Sequence, residues 1–154
     1  MSEIESRLEK LGIILPNLSK PSANYIPIQQ VGSLIYTSGQ TCKVDGQLIL
    51  KGKLGKDLTL EEGKIAARQT ALNCLSIIKN HIKDLDKVVK IVKVLSFVNS
   101  APGFVKQPYV VNSISSLLED IFEEKGKHAR SAIGVNELPF DAPVETEMIV
   151  EIKK

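Results

Sequence analysis

Two groups of residues in this chain have the chemistry to act on a small molecule. The first is His128-Ala-Arg-Ser-Ala-Ile-Gly-Val135, and the second is Leu138-Pro-Phe-Asp-Ala-Pro-Val-Glu145. Two adjacent strands joined by the proline-containing segment are expected to bring Arg130 and Glu145 close together. One reading makes them a structural ion pair tying a hairpin, of a kind that is worth little when exposed. The other separates their roles. Arg130 grips a substrate carboxylate with its planar fork of donors, and Glu145 orients or deprotonates a water. His128 lies two residues before Arg130, so on a strand both side chains leave one face. It either joins the site or packs at an interface.

Other candidates are weaker. Thr37-Ser-Gly-Gln40 ends a strand, where Gly39 admits close backbone approach and Ser38 offers a hydroxyl, although a plain strand-end turn reads the same way. Asn112 and Asn73 interrupt two helical patterns, where asparagine is not a favoured former, and each either faces a site or is solvated. There is no Gly-x-Ser-x-Gly elbow and no Gly-x-Gly-x-x-Gly or phosphate loop. The chain has no Cys-x-x-Cys, and its histidines, His81 and His128, are far apart, so neither a cofactor nor a metal is expected.

The elements that must position these residues follow from periodicity. A short helix over residues 3–11 carries Ile4, Leu8 and Leu11 on one side and ends at Gly12. An irregular stretch, Pro16–Asn24, follows. Tyr25–Val31 and Leu34–Ser38 read as strands joined by a tight Gly32-Ser33 turn, with Pro27 favouring a strand start or edge. A short strand is expected at Gln47–Leu50. Thr59-Leu-Glu-Glu62 is a capping box opening a helix to about Lys83, with Ile65, Leu72, Leu75, Ile78 and Ile82 on its apolar stripe. Val88–Val98 is a β-branched strand. A second long helix, roughly Phe104–Glu124, turns Val110, Ile114, Leu117, Leu118, Ile121 and Phe122 inward and is stopped by Gly126. Ala129–Val135 and the alternating Val144–Ile152 close the domain.

This order predicts an α+β fold, with two helices covering one face of a mixed sheet. The other face is left open and carries apolar residues, which oligomerisation commonly buries. Residues 1–154 make one domain, with 1–24 as an N-terminal extension and 25–152 as the core. Aromatic residues are only 5% of the chain and tryptophan is absent, so the core must be aliphatic. Twenty basic and 18 acidic residues leave a net charge of +2, with no basic block, which argues against nucleic acid as a partner. The charged N-terminus has no secretory core and no apolar run is long enough to span a bilayer, so a soluble, cytoplasmic protein with Cys42 and Cys74 reduced is expected.

Taken together and in order, Tyr36-Thr-Ser-Gly-Gln40, the long helix after Gly55, Val92–Val98, Ala129-Arg-Ser-Ala-Ile-Gly134 and Leu138-Pro…Val144-Glu145 resemble the Rid/YjgF-like family, formerly labelled endoribonuclease L-PSP. The match covers roughly residues 25–152 and looks like a longer subgroup with an extra N-terminal segment. The resemblance implies a chorismate-mutase-like fold and a homotrimer with clefts between subunits. It also implies cofactor-independent hydrolysis of 2-aminoacrylate-type imines and enamines to 2-keto acids and ammonia. By position, Arg130 matches the family's carboxylate-binding arginine and Glu145 its water-positioning glutamate. Ser38 and Gly39 match residues lining the cleft, and Asn112 matches an asparagine near it. Ala132 stands where many members have cysteine. The family's tyrosine after Gly-Pro is replaced, with Ile28 following Pro27 and Tyr25 nearest. Alternatives are regulatory binding of a small carboxylate without catalysis and, further off, RNA cleavage. Nothing in the sequence points to a protein-interaction module.

Overall fold

A computed structural model of the protein describes residues 2–18 and 24–154. Helix α1, Glu3–Lys10, buries Ile4 and Leu8. Its first amides are capped from a distance: Asp86 accepts from Glu3 N and Ile4 N, each at 2.8 Å. Leu11, expected on the same apolar side, is instead 43% exposed, because the helix ends at Lys10 before it. Part of the irregular stretch predicted for Pro16–Asn24, residues 19–23, lies outside the described residues.

Strands β1 (Ile28–Val31) and β2 (Leu34–Thr37) form the expected hairpin, with Val31 opposite Leu34. Gly32 takes the left-handed first turn position, at φ +60°, that glycine fills at little cost. After Ser38 and Gly39 the chain re-enters the sheet as β3 (Gln40–Thr41). A small hairpin follows, β4 (Lys43–Val44) with β5 (Gln47–Leu48), turning at Asp45-Gly46. Helix α2, Leu60–Ile82, has the full capping box at Thr59 and Glu62. A threonine cap of this kind is worth about 1 kcal/mol. The long strand β6 (Val88–Asn99), helix α3 (Gln107–Phe122), β7 (Ala129–Val135) and β8 (Val144–Ile152) complete the chain.

The strand order is β1-β2-β8-β6-β7, with β3 also pairing β8. Only β6–β7 is parallel, because α3 carries the chain back to the starting edge between them. This corrects the expectation that the last two strands are neighbours: β6 lies between β7 and β8. Helices α2 and α3 pack together on one face, and α1 adds a third helix against α3. The core is aliphatic as expected, with Phe122 its one buried aromatic side chain among the described residues.

Two helix expectations are corrected. Ile65 is 57% exposed. The buried face of α2 instead runs through Gly63, Ala66, Ala67 and Thr70, because small residues let the helix lie close to the sheet and Leu54. Helix α3 ends at Phe122, before Gly126, and a 3-10 turn over Glu123–Gly126 follows. Gly126 is needed for a different reason: a Cβ there would meet Leu118 O at 2.2 Å.

Along β8, Val144, Thr146, Met148, Val150 and Ile152 are buried beneath the helices, while Glu145, Glu147, Ile149 and Glu151 are only half-buried on the other face. That open face continues through Tyr36 on β2, Leu95 and Phe97 on β6, and Ile133 on β7. No helix among the described residues is long and apolar enough to cross a membrane.

Candidate active site

Arg130 sits on β7 opposite Val94, a core residue of β6, so its side chain leaves on the helix-covered face at the sheet edge. Helix α3 receives it there. Nη1 donates to Ser115 Oγ at 3.0 Å. Nη2 donates to Asn112 Oδ1 at 2.7 Å and more weakly to the Pro108 carbonyl at 3.4 Å. All three acceptors are neutral. Among the described residues, Arg130 has no carboxylate within ion-pair distance. The guanidinium is therefore held in place with its positive charge unneutralised.

His128, one strand alternation earlier, joins the same cluster. Its Nε2 lies 2.9 Å from Ser115 Oγ and its Nδ1 2.6 Å from Gly126 O. Ala132, half-buried, follows Arg130 on the same face and packs against the core. Ser115 is the residue that sequence reasoning missed. The signal was its spacing: Asn112 and Ser115, three residues apart, put two polar side chains on one side of α3 beside the apolar stripe.

Glu145 belongs to a second cluster. It pairs with Phe97 and Thr41, between the buried Val144 and Thr146, so it projects from the open face. Its side chain lies over Gly39, where a Cβ would come within 2.9 Å of the Glu145 carboxyl carbon. Burial, reinforced by the neighbouring charge of Glu147, raises the Glu145 pKa above the ordinary glutamate value. Its carboxylate has no hydrogen-bond partner in the chain among the described residues.

Ser38 is beside this cluster but locally engaged. Its hydroxyl donates to Ile26 O at 2.7 Å and its amide to Pro27 O at 2.8 Å, which ties the approach segment to the end of β2. Tyr25 is 46% exposed just before that segment. Asn73 faces no ligand cleft: its amide satisfies the carbonyls of Thr41 and Lys43 at 2.8 and 2.9 Å, holding β3 and β4 against α2. Cys42 and Cys74 are both free and buried. Burial pushes the Cys74 thiol up to about 12, so it is an inert core residue.

The predicted closeness of Arg130 and Glu145 does not hold within one chain. Strand β6 separates their strands, and alternation sends the two side chains to opposite faces of the sheet. One chain thus carries an arginine cluster (Arg130, Asn112, Ser115, His128, Ala132) and a glutamate cluster (Glu145, Gly39, Ser38) that do not meet.

Residues 5–151 match the family described as "YjgF/chorismate_mutase-like, putative endoribonuclease". The chain is 43% identical to Protein TCP17 of Trypanosoma cruzi, over 97% of this chain and 94% of that protein. It is similar to the crystal structure of protein Atu1372 from Agrobacterium tumefaciens (TM-score 0.91, 40% identity, 97% of this chain and 92% of that one). A structure from Shewanella oneidensis MR-1, named an endoribonuclease, superposes with TM-score 0.94 at 30% identity, covering 98% of this chain and 100% of the other.

Proposed function

Since the chain belongs to the Rid/YjgF-like, chorismate-mutase-like family, we propose that it hydrolyses reactive imines and enamines of the 2-aminoacrylate type to 2-keto acids and ammonia. The observation that carries this reading is the state of Arg130. An arginine braced by three neutral acceptors, with no acidic partner among the described residues, is a preorganised receptor for a carboxylate. Its fork has five donors and three are engaged.

The chemistry asked of the site is modest. Water adds to the C=N carbon, the resulting carbinolamine loses ammonia, and a keto acid remains. Holding the substrate carboxylate fixes the C=N group in one place. A glutamate whose pKa is raised by burial is a better base for the attacking water than an ordinary one. The arginine and glutamate clusters lie on opposite faces of one sheet, so a working site pairs Arg130 of one copy with Glu145 of another. This supports a cleft between copies, and a homotrimer is the assembly we propose.

The test is ammonia release from freshly generated 2-aminoacrylate and 2-iminobutyrate. Wild-type protein should accelerate it, and Arg130→Ala should abolish the acceleration while leaving the assembly intact. If Arg130→Ala unfolds or dissociates the protein, the arginine is structural. Carboxylate binding by the wild-type chain without acceleration would favour a regulatory binding role. Salt-sensitive RNA binding with cleavage would instead favour the activity for which the Shewanella structure is named.

A further inference from the structure

The hydrogen-bond polarity around Arg130 is fixed through Ser115, one of its three acceptors, by His128, which the carboxylate reading does not use. Gly126 O can only accept, so the 2.6 Å contact requires the proton on His128 Nδ1. In the neutral ring Nε2 is then an acceptor, and it faces Ser115 Oγ at 2.9 Å. Ser115 has one hydroxyl hydrogen, and His128 takes it. Its lone pairs are left for Arg130 Nη1 at 3.0 Å.

Serines inside helices more often bond back to their own backbone. Ser113 on the same helix does so, to Val110 O at 2.8 Å, and Thr70 on α2 does so to Ala67 O at 2.6 Å. Ser115 instead spends its hydroxyl across the gap to β7, on His128 and Arg130. With Asn112 Oδ1 holding Nη2, each terminal nitrogen of the fork has its own fixed acceptor.

Resting on the carboxylate reading above, we infer that Ser115 and His128 are positioning residues for Arg130. His128 sets the direction of the Ser115 hydroxyl, and Ser115 then presents only lone pairs to the guanidinium. The fork is thereby held in one orientation, with Nε–H and the second Nη1–H as the donors left for a ligand carboxylate.

The experiment measures 2-oxobutyrate binding by calorimetry for wild type, Ser115→Ala, Ser115→Thr and Arg130→Ala, with melting temperatures recorded for each. It also reads the His128 tautomer by ¹⁵N NMR. Ser115→Ala should weaken binding roughly tenfold, the scale of one orienting hydrogen bond. Ser115→Thr, which keeps the hydroxyl, should restore it, and kcat for 2-iminobutyrate should change less than KM. His128 should carry its proton on Nδ1. A proton on Nε2 would overturn the proposal. So would wild-type affinity in Ser115→Ala alongside loss of binding in Arg130→Ala. Absence of binding by wild type would overturn the carboxylate reading itself, and the positioning role with it.

Discussion

At the scale of single residues, Glu145 occupies the space that a side chain at position 39 would need. The Cβ of an alanine at position 39 would stand 2.9 Å from the Glu145 carboxyl carbon and 3.1 Å from Oε2. The obstacle is the end of a flexible side chain, so Glu145 can swing aside. Gly39→Ala is expected to change the melting temperature little and to lower imine turnover. On the proposed reading, in which the glutamate serves the water and not the carboxylate, Glu145→Gln should reduce kcat more than it weakens 2-oxobutyrate binding. Its effect on stability has a definite sign. Burial, then Glu147, raises the folded pKa, so the folded state favours the neutral acid. That preference is fully present below the unfolded pKa and is lost as pH rises through the folded one. In the isolated fold, Glu145→Gln is therefore expected to be the more stable protein near neutrality, and the gap should close as pH falls into the acid range. Thermal melts across a pH series read this directly.

At the scale of elements, the site depends on how α3 is joined to β7. The 3-10 turn Glu123–Gly126 makes that join, and Gly126 packs directly on the last turns of α3. An added methyl would meet Leu118 O at 2.2 Å and Leu118 C at 2.6 Å, which are backbone atoms that cannot rotate away. Gly126→Ala should cost about 1–3 kcal/mol by overpacking, measurable by denaturant melts. It should also displace the carbonyl that fixes His128, so carboxylate binding should fall with it. The sequence marked Gly126 as a helix stop. The structure gives it the role of a close-packing residue, because the helix had already ended at Phe122. The exposed position of Ile65 has a similar origin: the small side chains of Gly63, Ala66 and Ala67 rotate α2 onto the sheet, and packing outweighs the hydropathy of one isoleucine.

At the scale of the whole molecule, the open face is the unfinished surface. Val31 is 70% exposed, Ile133 43% and Tyr36 39%, and Leu95 and Phe97 lie between them. The glutamate cluster sits on this face, whereas the arginine cluster sits at the edge on the other. If copies assemble through this face, Ile133→Asp should yield a folded monomer by sedimentation velocity, with wild-type secondary structure by circular dichroism. Imine turnover should be lost with the assembly, since neither half-site works alone. A monomeric wild-type protein with full turnover would refute the intersubunit cleft.

Local chemistry determined much of this protein by itself. The capping box at Thr59 and Glu62, the turn at Gly32-Ser33 and the alternation along Val144–Ile152 each depend on neighbours in sequence, and each stands in the structure as read. Arg130, His128 and Asn112 were legible as candidates from residue type and motif, and the structure brings those three together. Ser115 was hidden because it is one of three serines on α3, with Ser113 and Ser116, and a helical serine looks solvated. What only the tertiary structure decided is which strands are neighbours. The placement of β6 between β7 and β8 comes from a parallel crossover through α3, a pairing of segments far apart in the chain that no local pattern encodes. That one non-local choice separates the strands of Arg130 and Glu145, and alternation along each strand then puts their side chains on opposite faces.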